Sequence, residues 1–166
     1  MTITKKERDL LTAYAAVWPQ PISRGVNAST RGLTLEIAGF PLFPIRLLDR
    51  AAPTITQALF KKLPFEGHLI HSAWSGNGVR ALEAMELPEL TEHENSTFFP
   101  SPGDLCYTIG HSELTLFYGD ASPAMASGRV CESVFGVIED NLELFQQACM
   151  LTRLDGLRAF VLRSDE

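Results

Sequence analysis

The stretch that decides the fold is VFGVIEDNLELFQQA, residues 134–148. Its first half is a run of apolar residues rich in β-branched and aromatic side chains, which is typical of a buried strand. Its second half places Leu142 and Phe145 three positions apart, and this spacing predicts the apolar face of a helix over about 141–151. We expect Asp140 and Glu143 to cap that helix. The sequence therefore predicts a buried strand that runs directly into a packed helix.

Seven further runs, found on both sides of this stretch, alternate apolar and polar positions or are continuously apolar. The eight predicted strands are 33–39, 43–48, 66–74, 79–85, 105–109, 113–119, 134–139 and 157–163. SGNG at 75–78 and the residues around Gly110 are predicted hairpin turns. Only two helices follow residue 32, which is too few for a doubly wound sheet. We therefore predict a mainly β protein, a closed eight-stranded β-barrel over residues 32–166, preceded by a helix and linker over 1–31.

Two helices outside the opening stretch have recognisable starts. The first is predicted over 5–17, with Thr4 and Glu7 at the spacing of a capping box and Pro19 beyond its end. Its apolar side must pack on something, either its own barrel or a neighbouring subunit. The second is predicted over 53–62, where Thr54 and Gln57 resemble a second capping box.

The charge distribution narrows the class of partner. The chain has 166 residues and a formal net charge of -6. Residues 81–128 contain eight acidic side chains and no lysine or arginine. A nucleic-acid surface needs clustered basic residues, so we expect no nucleic-acid partner. The acidic stretch is either a solvated surface or a face that attracts cations, basic peptides or a basic partner.

Cysteine usage and hydropathy indicate a compartment. The three cysteines have no CxxC spacing and stand among apolar neighbours, which is typical of free buried thiols in a reducing environment. The charged N-terminus lacks a signal-peptide hydrophobic region, and no apolar run is long enough to span a membrane. We expect a cytoplasmic protein with no membrane partner, no bound metal and no cofactor.

Taken as an ordered set, these segments resemble the cyclophilins. APTITQALFKKLPFEGHLIH, residues 52–71, is similar to the cyclophilin helix that leads into a strand carrying Phe-His-Arg. VFGVIEDNLELFQQA is similar to the family's Val-Phe-Gly strand and following helix, and LRAFVLR to its closing strand. PFEG…W and PGDLCYTIG…LTLFYGDASP resemble a group of small bacterial and archaeal cyclophilin-like proteins of unknown function. The resemblance implies the barrel over about 33–163 and no assigned activity.

The chain departs from the prolyl isomerases where their chemistry is carried out. Resemblance places Ser72 where those enzymes have the arginine that donates a hydrogen bond to the prolyl nitrogen, and a serine has no charge to replace it. Leu116-Phe117-Tyr118 stands where the family has Gln-Phe-Phe in its proline pocket. Arg80, on the adjacent predicted strand, is an alternative source of a guanidinium. We expect no prolyl isomerase activity.

The two histidines beside these positions each have two interpretations. Strand alternation puts His71 on the inward face with Leu69, as a hydrogen-bonded core histidine, and puts Ser72 and Trp74 on the face that is the ligand groove in cyclophilins. Trp74 is then either an exposed binding platform or a side chain packed under the N-terminal segment. His111 and Glu113 either orient one another as base and carboxylate or belong to an ordinary polar turn.

Three hypotheses about function follow from this sequence. The first is a protein that binds a small metabolite or peptide in a groove on the side of the barrel and is not an isomerase. The candidate ligand-binding residues are His71, Ser72, Trp74, Arg80, Tyr107, His111, Glu113, Phe117 and Tyr118. The second is an enzyme or enzyme subunit that hydrolyses amides or cyclic amides, with His71, His111, Glu113 and Arg80 converging. The third is an assembly module in which the N-terminal helix joins subunits of a homo-oligomer.

Overall fold

The computed structural model of the chain describes residues 3–17, 22–25, 29 and 31–165. Eight antiparallel strands form one sheet that closes on itself, because β2 pairs with both β1 and β10. The eight barrel strands are β1 (Leu33–Ile37), β2 (Phe43–Leu47), β3 (Phe65–His71), β4 (Gly76–Ala81), β6 (Asp104–Thr108), β7 (Glu113–Ala121), β10 (Glu132–Val137) and β11 (Arg158–Ser164). Around the barrel their order is β2-β1-β11-β3-β4-β7-β6-β10. The predicted closed eight-stranded barrel is confirmed.

Three short strands lie outside the barrel circuit. β5 (Ser96–Thr97) pairs with the start of β10. β8 (Ala124–Met125) and β9 (Gly128–Arg129) form a small hairpin of their own between β7 and β10. This hairpin lies among the small residues of ASPAMASGR, 121–129, and it forms one wall of the site described below.

The three helices are α1 (Lys5–Val17), α2 (Pro53–Phe60) and α3 (Leu142–Asp155). α1 has the predicted bounds, and the capping box is present: the Glu7 carboxylate accepts from the Thr4 amide over 2.7 Å. The predicted role of Pro19 in ending α1 falls outside the described residues. None of the described helices is long and apolar enough to cross a membrane.

The two other predicted caps are wrong. α2 begins after Ala52 without a side-chain cap of its own, because the Glu94 carboxylate, distant in sequence, accepts from the Thr54 and Ile55 amides over 3.0 Å. α3 begins after Asn141, which has the left-handed φ of 56° and makes no side-chain cap. A tertiary contact replaces the first local cap, and α3 begins without a side-chain cap.

The turn between β3 and β4 also differs from the prediction. β3 ends at His71 rather than Trp74, and β4 already begins at Gly76, inside the predicted SGNG turn, and ends at Ala81 rather than Met85. A bulge between Gly76 and Gly78 lets this segment follow β7. A Cβ at Gly78 would lie 2.9 Å from the Phe117 ring, so the missing side chain is what permits the close pairing.

The core fills the barrel interior and extends to two helices. Leu35, Leu69, Val79 and Leu116 point inward from neighbouring strands and are fully buried. α3 contacts β3, β4 and β7, and its Phe145 packs edge-on against Phe43 with ring centroids 5.7 Å apart. Alternation along a strand then leaves the opposite side chains of β4, β7, β6 and β10 on the outer face.

Candidate ligand-binding site

A pocket of about 560 Å³ lies on the outer face of the barrel, over β3, β4, β7 and the start of β10. We call it the barrel-side pocket. It is lined by Ile70, His71, Ser72, Ala73, Trp74, Ser75, Arg80, Glu113, Thr115, Pro123, Ala124, Met125, Ala126, Ser127, Val130 and Glu132. The β7 side chains alternate: Leu114, Leu116 and Tyr118 belong to the core, while Glu113 and Thr115 face the pocket. Its walls are mostly apolar and its floor is polar.

The wall of the pocket is joined to the sheet by hydrogen bonds from the β3–β4 turn. The Ser72 amide donates to the Gly78 carbonyl over 2.9 Å, which fixes the turn at its base. The Ser122 amide donates to the Ser75 carbonyl over 3.1 Å, and the Ala124 amide donates to the Ser75 hydroxyl over 3.3 Å. These bonds hold the β8–β9 hairpin beside the turn that carries Trp74. The indole of Trp74 is 64% exposed and forms one side of the pocket.

The most unusual group in the pocket is the carboxyl of Glu132. Only 3% of this residue is exposed. Its Oε2 accepts hydrogen bonds from the hydroxyls of Thr108, over 2.8 Å, and Thr115, over 3.0 Å. The pKa of Glu132 is raised to about 7: burial is the main cause, the hydrogen bonds from the two hydroxyls oppose it, and the charge of Glu113 adds a smaller rise. Glu132 therefore exchanges a proton near neutral pH.

An ion pair stands beside this carboxyl. Arg80 Nη1 lies 3.3 Å from Glu113 Oε1, and both side chains are partly exposed. Arg80 pairs across the sheet with Thr115, the residue that donates to Glu132, and Glu113 lies two positions before Thr115 on β7 and faces the same pocket. The pair thus brings one positive and one negative group to the pocket next to the buried acid.

His71 lies at the inner margin of the pocket and is hydrogen-bonded on both ring nitrogens. Its Nδ1 is 2.9 Å from the Ser72 carbonyl, and its Nε2 is 2.8 Å from the Tyr118 hydroxyl. Because a carbonyl only accepts, Nδ1 carries the proton and the tyrosine donates to Nε2. Burial lowers the pKa of His71, which favours this neutral form. The imidazole therefore has the hydrogen bonds of a core histidine.

The structure brings five of the nine sequence-predicted ligand residues to the pocket wall: His71, Ser72, Trp74, Arg80 and Glu113. Tyr118 contacts the pocket through His71. Tyr107 does not line it, because its side chain points into the barrel, where its hydroxyl donates to the Met85 carbonyl over 2.9 Å. Phe117 is on the outer face but is covered in a separate cluster with Leu48 and Val134.

His111 is also absent from the described pocket lining, because it is exposed in the turn between β6 and β7. The convergence of His71, His111, Glu113 and Arg80 that the amide-hydrolysis hypothesis requires is therefore incomplete in the described structure. Across the described residues, no three His, Cys, Asp or Glu side chains are grouped so as to hold a metal ion.

Sequence reasoning missed Glu132, the two threonines that bind it, and the wall formed by residues 123–130. A signal was available for Glu132. In the sequence it stands two positions before the apolar run VFGV at 134–137, and in the structure all six residues of β10 are buried. An acid at the end of a strand that is apolar on both faces predicts a buried carboxyl.

Comparisons with known proteins support the fold. A family model described as "Protein of unknown function (DUF3830)" matches residues 33–164, from β1 to β11. A structure of McbB in complex with tryptophan is similar, with a TM-score of 0.64 and 16% identity over 79% of this chain and 44% of McbB. This chain therefore spans less than half the length of McbB.

A second similar structure is the solution structure of the hypothetical protein AF2241 from Archaeoglobus fulgidus. Its TM-score is 0.55 and its identity 18%, over 85% of this chain and 97% of that one. A search of curated protein sequences found no match. At these identities the two structures show the fold alone, which is cyclophilin-like.

Proposed function

Because the chain belongs to the DUF3830 family of proteins of unknown function, we propose its function from the site: it binds a small molecule in the barrel-side pocket. One observation carries this proposal. A pocket of about 560 Å³ with apolar walls opens onto a carboxyl, that of Glu132, which is almost fully buried. Small-molecule sites are concave, largely apolar and equipped with a few polar groups that orient the ligand.

The distribution of apolar and polar side chains around the pocket favours a ligand with an apolar body. Trp74, Ile70 and Met125 offer apolar surface on different sides of the pocket. An indole that is mostly exposed in the free protein gains burial when a ligand covers it, which contributes favourably to binding. Polar recognition falls to Arg80, Glu113 and Glu132 on the floor.

The same residues argue against prolyl isomerisation. Ser72 stands at the pocket wall where the cyclophilin resemblance calls for an arginine. Arg80 faces the same pocket, but its guanidinium is already engaged by Glu113. We propose a binding protein of the cytoplasm without isomerase activity.

The test is to measure binding at the pocket directly. Native mass spectrometry of the freshly purified protein reports any retained small molecule. Titration with uncharged, cationic and anionic aromatic fragments, followed by ¹H–¹⁵N NMR, shows whether the Trp74 indole and the amides of 123–130 shift. Trp74→Ala should weaken every fragment, while Leu42→Ala, which removes an exposed side chain outside the pocket, should not. If no fragment shifts these signals, the proposal fails.

A second proposal concerns assembly. Leu10 and Leu11 of α1 are 60% and 58% exposed, so the described structure leaves this pair of large apolar side chains uncovered. We propose that α1 packs on a second copy of the chain in a homo-oligomer. Light scattering should show a lower mass after removal of residues 1–21, whereas an unchanged mass would contradict the proposal.

A further inference from the structure

The charges that line the barrel-side pocket are unequal. Arg80 faces two carboxyls, Glu113 and Glu132, and its ion pair is with Glu113. His71 adds no charge, because both of its nitrogens are engaged in the neutral form. Within the part of the chain that the structure describes, no cationic side chain is paired with Glu132. The ionised carboxylate is therefore left without a counter-charge inside the pocket.

The groups around Glu132 supply no counter-charge for its carboxylate. Its Oε2 accepts from Thr108 and Thr115, which are neutral donors, and no described hydrogen bond reaches Oε1. The other titratable groups around it are Arg80 on β4, Glu113 on β7, Cys106 on β6, and His93, whose ring contacts Ser133. An ionised carboxylate in such a place is costly unless a cation pairs with it.

We propose that the barrel-side pocket selects ligands with a cationic nitrogen group, an ammonium or amidinium, on an apolar body, and that this group binds the Glu132 carboxylate. The inference rests on the proposed function and adds the ligand's chemical class. A monocation balances the single net negative charge of the pocket, and its N–H group donates a hydrogen bond to Oε1 of Glu132. Charge-assisted hydrogen bonds of this kind are about twice as strong as neutral ones.

One feature outside the floor favours the same class. Trp74 presents an exposed indole at the pocket, and an aromatic face attracts cations. Of the eight acids in residues 81–128, Glu113 is the one that lines the pocket.

The proton on Glu132 competes with such a ligand. With a pKa of about 7, the carboxyl is mostly protonated at pH 6 and mostly ionised at pH 8. A cation binds the ionised form, so its affinity should be about tenfold lower at pH 6 than at pH 8. A neutral ligand has no such requirement and should show little change.

The experiment compares three probes of one shape: benzamidine, which is cationic, benzamide, which is neutral, and benzoate, which is anionic. Each is titrated into the full chain and followed by NMR at the Trp74 indole. We expect benzamidine to bind about tenfold more tightly than benzamide at pH 8, a difference of ~1.4 kcal/mol. Equal affinity for benzamidine and benzamide would overturn the cationic class and leave the binding pocket standing. Tighter binding of benzoate than of benzamidine would also overturn it. If no probe shifted the Trp74 signal, the proposal that this pocket binds small molecules would fail as well.

Variants assign the preference to one side chain. Glu132→Gln keeps the shape and an acceptor oxygen, so it should lower benzamidine affinity to that of benzamide and abolish the pH dependence. Glu36→Gln is the matched control, because it removes the same charge from an exposed pair with Arg163 outside the pocket. It should leave the preference intact. If Glu132→Gln retains the preference for benzamidine, Glu132 is not the recognising group.

Discussion

The hydroxyl of Tyr118, on β7, lies 2.8 Å from Nε2 of His71, at the end of β3, and donates a hydrogen bond to it. The bond crosses β4, which stands between these two strands in the sheet. It holds the last residue of β3 at the point where the chain turns outward to carry Ser72 and Trp74. The inner margin of the pocket is therefore anchored to the barrel core.

Tyr118→Phe should destabilise the protein by about 1 kcal/mol, because the hydroxyl is removed and Nε2 of His71 loses its donor. Urea denaturation at pH 7.5 measures the change.

The imidazole of His71 should carry its proton on Nδ1. Long-range ¹H–¹⁵N NMR of the wild type should show this tautomer and a pKa of His71 below 6.5, the direction that burial imposes. Detection of the Nε2-protonated neutral form would contradict the assigned hydrogen bonds.

The buried Glu132 carboxyl should make stability fall as pH rises. Its pKa is raised in the folded state from 4.5 to about 7, so the folded state binds the proton more tightly than the unfolded state. The associated stabilisation is complete below pH 4.5 and is lost as pH rises through 7. Glu132→Gln removes this loss. The free energy of unfolding of Glu132→Gln minus that of the wild type should therefore increase by roughly 2–3 kcal/mol from pH 5 to pH 8.

Urea denaturation at the two pH values measures this change for Glu132→Gln. Glu36→Gln, with the same change of charge at an exposed position, should show no comparable trend. A difference between Glu132→Gln and wild type that does not vary with pH would show that Glu132 titrates normally in the folded protein.

The start of α2 should depend on Glu94 and not on Thr54. The Glu94 carboxylate accepts from two free amides at the helix N-terminus, whereas the Thr54 side chain makes no cap. Glu94→Ala should cost about 1 kcal/mol of stability, the usual value of an N-terminal cap. Thr54→Ala should change stability by less than ~0.5 kcal/mol, as is usual for an exposed site. If Thr54→Ala lost more stability than Glu94→Ala in thermal or urea denaturation, the local capping box and not Glu94 would cap α2.

Arg24 should stabilise the barrel through a buried carboxylate. Its Nε and Nη2 donate to the two oxygens of Asp104 over 2.8 Å and 2.5 Å, and the Asp104 side chain is fully buried. Arg24→Ala leaves that carboxylate with the Ser101 amide as its remaining described donor. We expect a loss of about 2 kcal/mol, less than for a fully buried pair because Arg24 is partly exposed.

Lys61→Ala is the control for Arg24→Ala. Lys61 pairs with Glu89 where both side chains are exposed, so its removal should cost less than ~0.5 kcal/mol. Equal losses in urea denaturation for the two variants would mean that the Arg24 contact is not maintained in solution.

The barrel itself was predictable because its causes are local and repeated. Alternation of apolar residues marks each strand, and the strand-to-helix stretch at 134–148 has two periodicities in sequence. For the strands, only the exact ends were predicted wrongly. At the turn between β3 and β4, glycines let β4 begin at Gly76, inside the predicted turn, and β3 ends before Trp74. The start of α2 at Pro53 was predicted correctly, but its cap was not, because Glu94 comes from forty residues away.

The sequence by itself determined the closed barrel, the amphipathic N-terminal helix and the acidic middle of the chain. It also singled out Ser72, Trp74 and Arg80, through the resemblance to the cyclophilins and the pattern of the predicted strands, and the structure places Ser72 and Trp74 in the turn after β3. The tertiary structure alone decided that Glu132 meets Thr108, Thr115 and the Arg80–Glu113 pair. The reason is physical: burial and charge pairing depend on which strands become neighbours, and a closed sheet brings together residues that the chain keeps far apart.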